Sequence, residues 1–181
     1  CAGIYIDQSS PTIRYCSTGE NDRTVASGYN NSPAFLHCVF GSEVQLLSSA
    51  ILDGCTINAP VRLSGGYRDW QIVNSTLQNI IAPDCSFYND TLQIIDSTIH
   101  CSEPIMFGYA IGDFGCDFSD GSNDIEFTGC TINYVGDQNP YGRLTYLNLV
   151  DSDDLRFSNC SISGFYYDEN VGDYTPVEFV D

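Results

Sequence analysis

The chain has 181 residues, 43% of them hydrophobic and 13% aromatic, and a formal charge of −18 from 24 carboxylates, six arginines and no lysine. That much apolar side chain in a one-domain length argues for a packed core and against intrinsic disorder, so the acidity belongs to a folded surface. Such a surface is a poor match for phosphate backbones and anionic lipid, which removes nucleic acid as an expected partner, and no run approaches the roughly 18–20 apolar residues of a membrane span.

In chain order, residues 1–43 carry strand-like pieces, Ile4-Tyr5-Ile6, Ile13-Arg14-Tyr15 and Phe35 to Phe40, broken by polar turns. They are expected to form an N-terminal cap. Between 44 and 163 five segments align without gaps: AILDGCTI (50–57), WQIVNSTL (70–77), LQIIDSTI (92–99), IEFTGCTI (125–132) and LRFSNCSI (155–162). Positions one, three and eight are apolar, as a strand with one buried face requires. Position five is Gly, Asn or Asp, which marks a bend, and position six is Cys or Ser. Looser strands precede most units, at Val44-Gln45-Leu46, Val61-Arg62-Leu63, Ile105-Met106-Phe107 and Tyr146 to Leu149, so each repeat holds at least two strands. No window shows the three-and-four apolar spacing of a helix.

The sixth positions fall at Cys55, Ser75, Ser97, Cys130 and Cys160. The unequal intervals imply loops inserted into a solenoid whose equivalent residues stack about 4.8 Å apart. Residues 164–181 end in the alternating Thr175-Pro176-Val177-Glu178-Phe179-Val180, expected as a C-terminal cap or as a strand exchanged with another copy. The predicted fold is all-β: a single parallel β-helix domain with short terminal caps and inserted loops.

IEFTGCTI and LRFSNCSI resemble coils of the right-handed parallel β-helix, or pectin-lyase-like, superfamily, in particular its noncatalytic surface proteins with F-x-N-C-x-I/F units. The resemblance spans roughly residues 44–162 and implies the fold, not an activity. Polysaccharide-cleaving relatives carry clustered carboxylates with calcium and a basic residue, or an acid pair. Asp153-Asp154 resembles such a pair superficially, but the accompanying acid, histidine and arginine-lysine motifs are absent, so both are assigned to a solvated turn and no catalytic residue is expected.

The nine cysteines lack C-x-x-C metal spacing and point to an oxidising compartment. The expected bridges are Cys1–Cys16, pinning the cap, and Cys101–Cys116, closing an insertion. Stacked cysteines of the repeat instead favour thiols, because β-carbons one coil apart lie slightly beyond disulfide reach. Four sequons, at Asn30, Asn74, Asn89 and Asn159, agree with a secreted, extracellular or cell-surface glycoprotein. Cys1 is alternatively a lipidated mature N-terminus.

No cofactor is required by any motif. The acidic, glycine-containing stretch 113–124 offers oxygen ligands for Ca²⁺ through Asp117, Asp120 and Asp124, with Asp168, Glu169 and Asp173 as a weaker group. Tyr134, Tyr141, Tyr166 and Tyr167 are candidate sugar-stacking residues. His37 and His100 fit no nucleophile or metal pattern and are read as structural. The leading expectation is a noncatalytic extracellular structural protein that assembles with itself into a filament or coat. The alternative is a polysaccharide-binding or polysaccharide-cleaving β-helix.

Overall fold

The computed structural model describes residues 3–20, 22–28, 30–64, 68–82, 91–101, 106–107, 124–134, 146–147, 154–163 and 177–180. Every strand pairing among them is parallel, and each strand pairs with its equivalent one turn along the chain, which makes the molecule a parallel β-helix.

The turns have three faces. Face one is an eight-stranded sheet of Thr12–Arg14, Ala34–Leu36, Ala50–Asp53, Asp69–Val73, Thr91–Ile95, Asp124–Thr128, Asp154–Ser158 and Val177–Val180. Face two follows a sharp bend and comprises Ser17–Thr18, Val39–Phe40, the first residues of Thr56–Leu63 and Thr76–Ala82, then Thr98–Cys101, Thr131–Tyr134 and Ser161–Ser163. Face three comprises Tyr5–Asp7, Thr24–Ser27, Val44–Leu46, the later residues of the same two long strands, Met106–Phe107 and Tyr146–Leu147. The long strands turn from face two to face three where their register shifts, between Leu77 and Asn79.

Alternation along each strand sets what is inside. On face one the inward column runs Ile13, Phe35, Leu52, Ile72, Ile94, Phe127 and Phe157, residue upon residue by register. All but Ile13, in the first described coil, are buried, and Phe127 stacks on Phe157 with ring centroids 4.7 Å apart. Phe40, Ile57, Leu77, Ile99 and Ile132 fill the core from face two, and Val44, Leu46, Val61 and Leu63 from face three. Trp70 is wholly buried and donates its indole N–H to the Ser48 carbonyl at 2.9 Å, which satisfies its only polar group.

Strands of all three faces already occur between Tyr5 and Phe40. The stretch expected as an N-terminal cap therefore contributes coils to the same ladders, because Ile6, Phe35, Cys38 and Phe40 occupy inward positions there. At the other end, Val177–Val180 pairs in parallel with Asp154–Ser158 of its own chain and extends face one. The long intervals between Ser97, Cys130 and Cys160 leave the ladder unbroken, since Thr98 pairs with Thr131 and Thr131 with Ser161. No helix among the described residues is long and apolar enough to cross a membrane.

Candidate functional site

The corner between faces one and two is the most regular feature of the molecule. Its apex residue has a left-handed backbone in successive coils: Tyr15 (φ 54°), His37 (φ 55°), Gly54 (φ 63°), Asn74 (φ 50°), Asp96 (φ 48°), Gly129 (φ 65°) and Asn159 (φ 53°). A left-handed residue turns the chain sharply without breaking the ladders on either side. Gly, Asn and Asp reach that conformation at least cost, which explains the fifth position of the sequence repeat.

The next residue turns inward and forms a second column: Cys16, Cys38, Cys55, Ser75, Ser97, Cys130 and Cys160. From Cys38 onward each has two carbonyls within reach of its one S–H or O–H hydrogen. One is two residues back: Leu36, Asp53, Val73, Ile95, Thr128 and Ser158 in turn. The other belongs to the inward column one coil earlier: Ile13, Phe35, Leu52, Ile72, Ile94 and Phe127. Both serines also accept a backbone N–H from the coil before, Cys55 N–H to Ser75 Oγ at 3.0 Å and Ser75 N–H to Ser97 Oγ at 3.1 Å. The column thus supplies hydrogen bonds where the bend interrupts the ladder.

Cys16, Cys38, Cys55, Cys101, Cys130 and Cys160 are thiols. Burial pushes Cys55 and Cys130 up to about 11 and Cys101 up to about 12. These thiols stay protonated at neutral pH and act as small packing groups, not nucleophiles. Cys1 and Cys116, the partners expected for Cys16 and Cys101, lie outside the described residues.

Outside the corner column, face two presents an outward row of Ser17, Val39, Thr56, Thr76, Thr98, Thr131 and Ser161, aligned by register. The strand residues of this face include no carboxylate and no arginine, in a chain with 24 acids. Tyr15 and His37 stand at its border, stacked at 5.5 Å between centroids with planes 18° apart.

Asp117, Asp120, Asp153, Tyr141, Tyr166, Tyr167, Asp168, Glu169 and Asp173 lie outside the described residues. Asp124 and Asp154 open paired face-one strands and sit side by side in register, so Asp154 is a strand residue rather than part of a turn. Tyr134 closes its strand opposite Cys101. No cluster of three or more potential metal ligands occurs among the described residues. His100 lies on face two opposite Asn133.

Asn30, Asn74 and Asn159 are exposed and all have positive φ. For Asn74 and Asn159 the corner geometry is by itself a reason to be asparagine. Asn89 lies outside the described residues. The sequence reading gave Cys16 to a bridge with Cys1 and missed Cys16 and Cys38 as members of this column, whose signal, a small residue after the apex, is hidden by Tyr15 and His37 in place of Gly, Asn or Asp.

No protein-family model matches this chain, and no match is found among curated proteins or solved structures.

Proposed function

We propose that this chain is a noncatalytic structural solenoid of the pectin-lyase-like kind, exported from the cytosol, that associates with copies of itself through its edge strands. The observation that carries the reading is where the core is incompletely covered. Ile4, Ile13 and Cys16 in the first described coil, and Cys160 and Ile162 in the last coil with a described face two, are only partly buried, whereas their column mates between are buried. At the first coil, Thr12–Arg14 and Ser17–Thr18 pair on one side only among the described residues, and so does Val177–Val180 at the far end. All strands run parallel, so a second copy added head to tail meets a compatible ladder, and a head-to-tail contact propagates.

Exposed Asn30, Asn74 and Asn159 are compatible with glycans that keep the sides of such an assembly apart. A charge of −18 opposes association, so screening should favour it. Sedimentation velocity and electron microscopy over a concentration series, at low and high salt, test the reading. The expected result is oligomers that lengthen with concentration and salt and are lost in Ile13→Glu. A monodisperse monomer throughout refutes it. Intact mass after expression in a secretory host reads out the glycans.

A further inference from the structure

Five of the seven corner apices are Gly54, Asn74, Asp96, Gly129 and Asn159, and the other two, Tyr15 and His37, are aromatic at the same left-handed geometry. Large side chains there carry a steric cost that the other coils avoid. Strain retained where a cheaper residue serves equally well points from geometry to function.

The two rings form a built surface. Tyr15 is 77% exposed and stacks on His37. His37 lies over Gly54, where an added β-carbon would come within 2.3 Å of the imidazole Nδ1. Glycine at that apex is therefore what lets the imidazole lie flat and carry the tyrosine. Beside the stack, Ser17 and Thr56 expose hydroxyls on either side of Val39, itself 42% exposed.

We infer that Tyr15, seated on His37 and flanked by Ser17, Val39 and Thr56, is a binding platform for a neutral sugar ring of a polysaccharide. A sugar ring offers an apolar C–H face to an aromatic ring and hydroxyls around its rim, which matches an exposed tyrosine bordered by hydroxyl-bearing side chains. The face-two side of the platform carries no carboxylate; on its face-one side Arg14 precedes Tyr15, and Asp53, in register with Leu36, precedes Gly54, while the charge of −18 on the whole chain disfavours anionic sugars and nucleic acid. The site lies on the corner of the solenoid and does not depend on self-association.

The test is an amide-resolved NMR titration of the ¹⁵N-labelled chain, at a concentration where it is monomeric, with cellohexaose, xylohexaose, laminarihexaose and chitohexaose. At least one sugar is expected to shift Tyr15, Cys16, Ser17, His37 and Thr56. Tyr15→Asn installs the residue other coils use, so it should raise the melting temperature while weakening binding about tenfold, the loss of one ring-stacking contact. Tyr15→Phe should keep most of the affinity. The inference is overturned if none of the four sugars shifts these amides, or if Tyr15→Asn binds as tightly as the parent. It is equally overturned if Tyr15→Asn abolishes self-association and leaves sugar binding intact, which would give the ring to the interface between copies.

Discussion

Replacing Ser75 by alanine tests whether the corner column is a hydrogen-bonding device or merely a small-residue stripe. Ser75 Oγ has the Val73 carbonyl at 2.8 Å and the Leu52 carbonyl at 3.5 Å within reach of its one hydrogen, and accepts from Cys55 N–H at 3.0 Å. Val73 O also receives Gly54 N–H at 3.0 Å, so the mutation does not orphan it. Cys55 N–H has no such reserve in a buried corner. Leaving it unpaired costs about 1–3 kcal/mol, and the lost hydroxyl bonds add roughly 1 kcal/mol. The expected loss is therefore about 2–4 kcal/mol, a large share of the ~5–15 kcal/mol by which domains are stable. Ser75→Cys restores what other coils carry and should cost under about 1 kcal/mol. Urea unfolding followed by the single Trp70, which is buried in the strand just before Ser75, reports on this coil directly. Ser75→Ala within about 0.5 kcal/mol of the parent, or Ser75→Cys as damaging as Ser75→Ala, would refute the hydrogen-bonding account.

Gly54→Ala forces a β-carbon into a left-handed residue and against His37, so circular dichroism melts should show a loss of about 1–2 kcal/mol or more, whereas Asn74→Gly should be nearly neutral. Trp70→Phe removes the bond to the Ser48 carbonyl and leaves a gap in a buried column, and should cost about 2–3 kcal/mol in urea titrations. Alkaline pH should weaken the fold through Cys55, Cys101 and Cys130. The unfolded thiols ionise near 9.0 while the folded ones hold their protons to about 11 or 12. The unfolded state thus binds fewer protons between those limits, and stability falls as pH rises above 9 by at most about 1.4 kcal/mol per unit for each thiol. Flat stability from pH 9 to 11 would show that these thiols are not buried as described.

Alternation of apolar residues, together with Gly, Asn or Asp before a small residue, made the upper coils legible from sequence, because both signals arise within a few adjacent residues. The first coils were harder to read for the same reason. Tyr15 and His37 carry the left-handed backbone without its usual residue types, and Val39 replaces the hydroxyl residue that follows the small one elsewhere. The third face was only half visible: Val61-Arg62-Leu63 stood apart after Asn58-Ala59-Pro60, whereas Thr76–Ala82 runs through the same corner without glycine or proline, so no such break separates its two halves. The aromatic stack joins residues 15, 37 and 54, whose relation is set by coil spacing and not by any motif.

In a solenoid each residue of a coil belongs to a column, so a property demanded by the fold must recur coil after coil. The cysteine and serine column obeys that rule: either residue type reaches the same two carbonyls, and the choice between sulfur and oxygen carries little information about function. The apex column obeys it in five coils and departs in two. Both departures are adjacent, face solvent together and rest on a glycine that accommodates them. Had they merely drifted to other residue types, nothing would require the aromatic substitutions to be neighbours; the glycine beneath them is shared with another coil, where Gly129 accommodates Asp96 in the same way. The combination is more economically explained by selection for an exposed ring at that corner than by the needs of the β-helix, which Asn at position 15 would meet at lower steric cost.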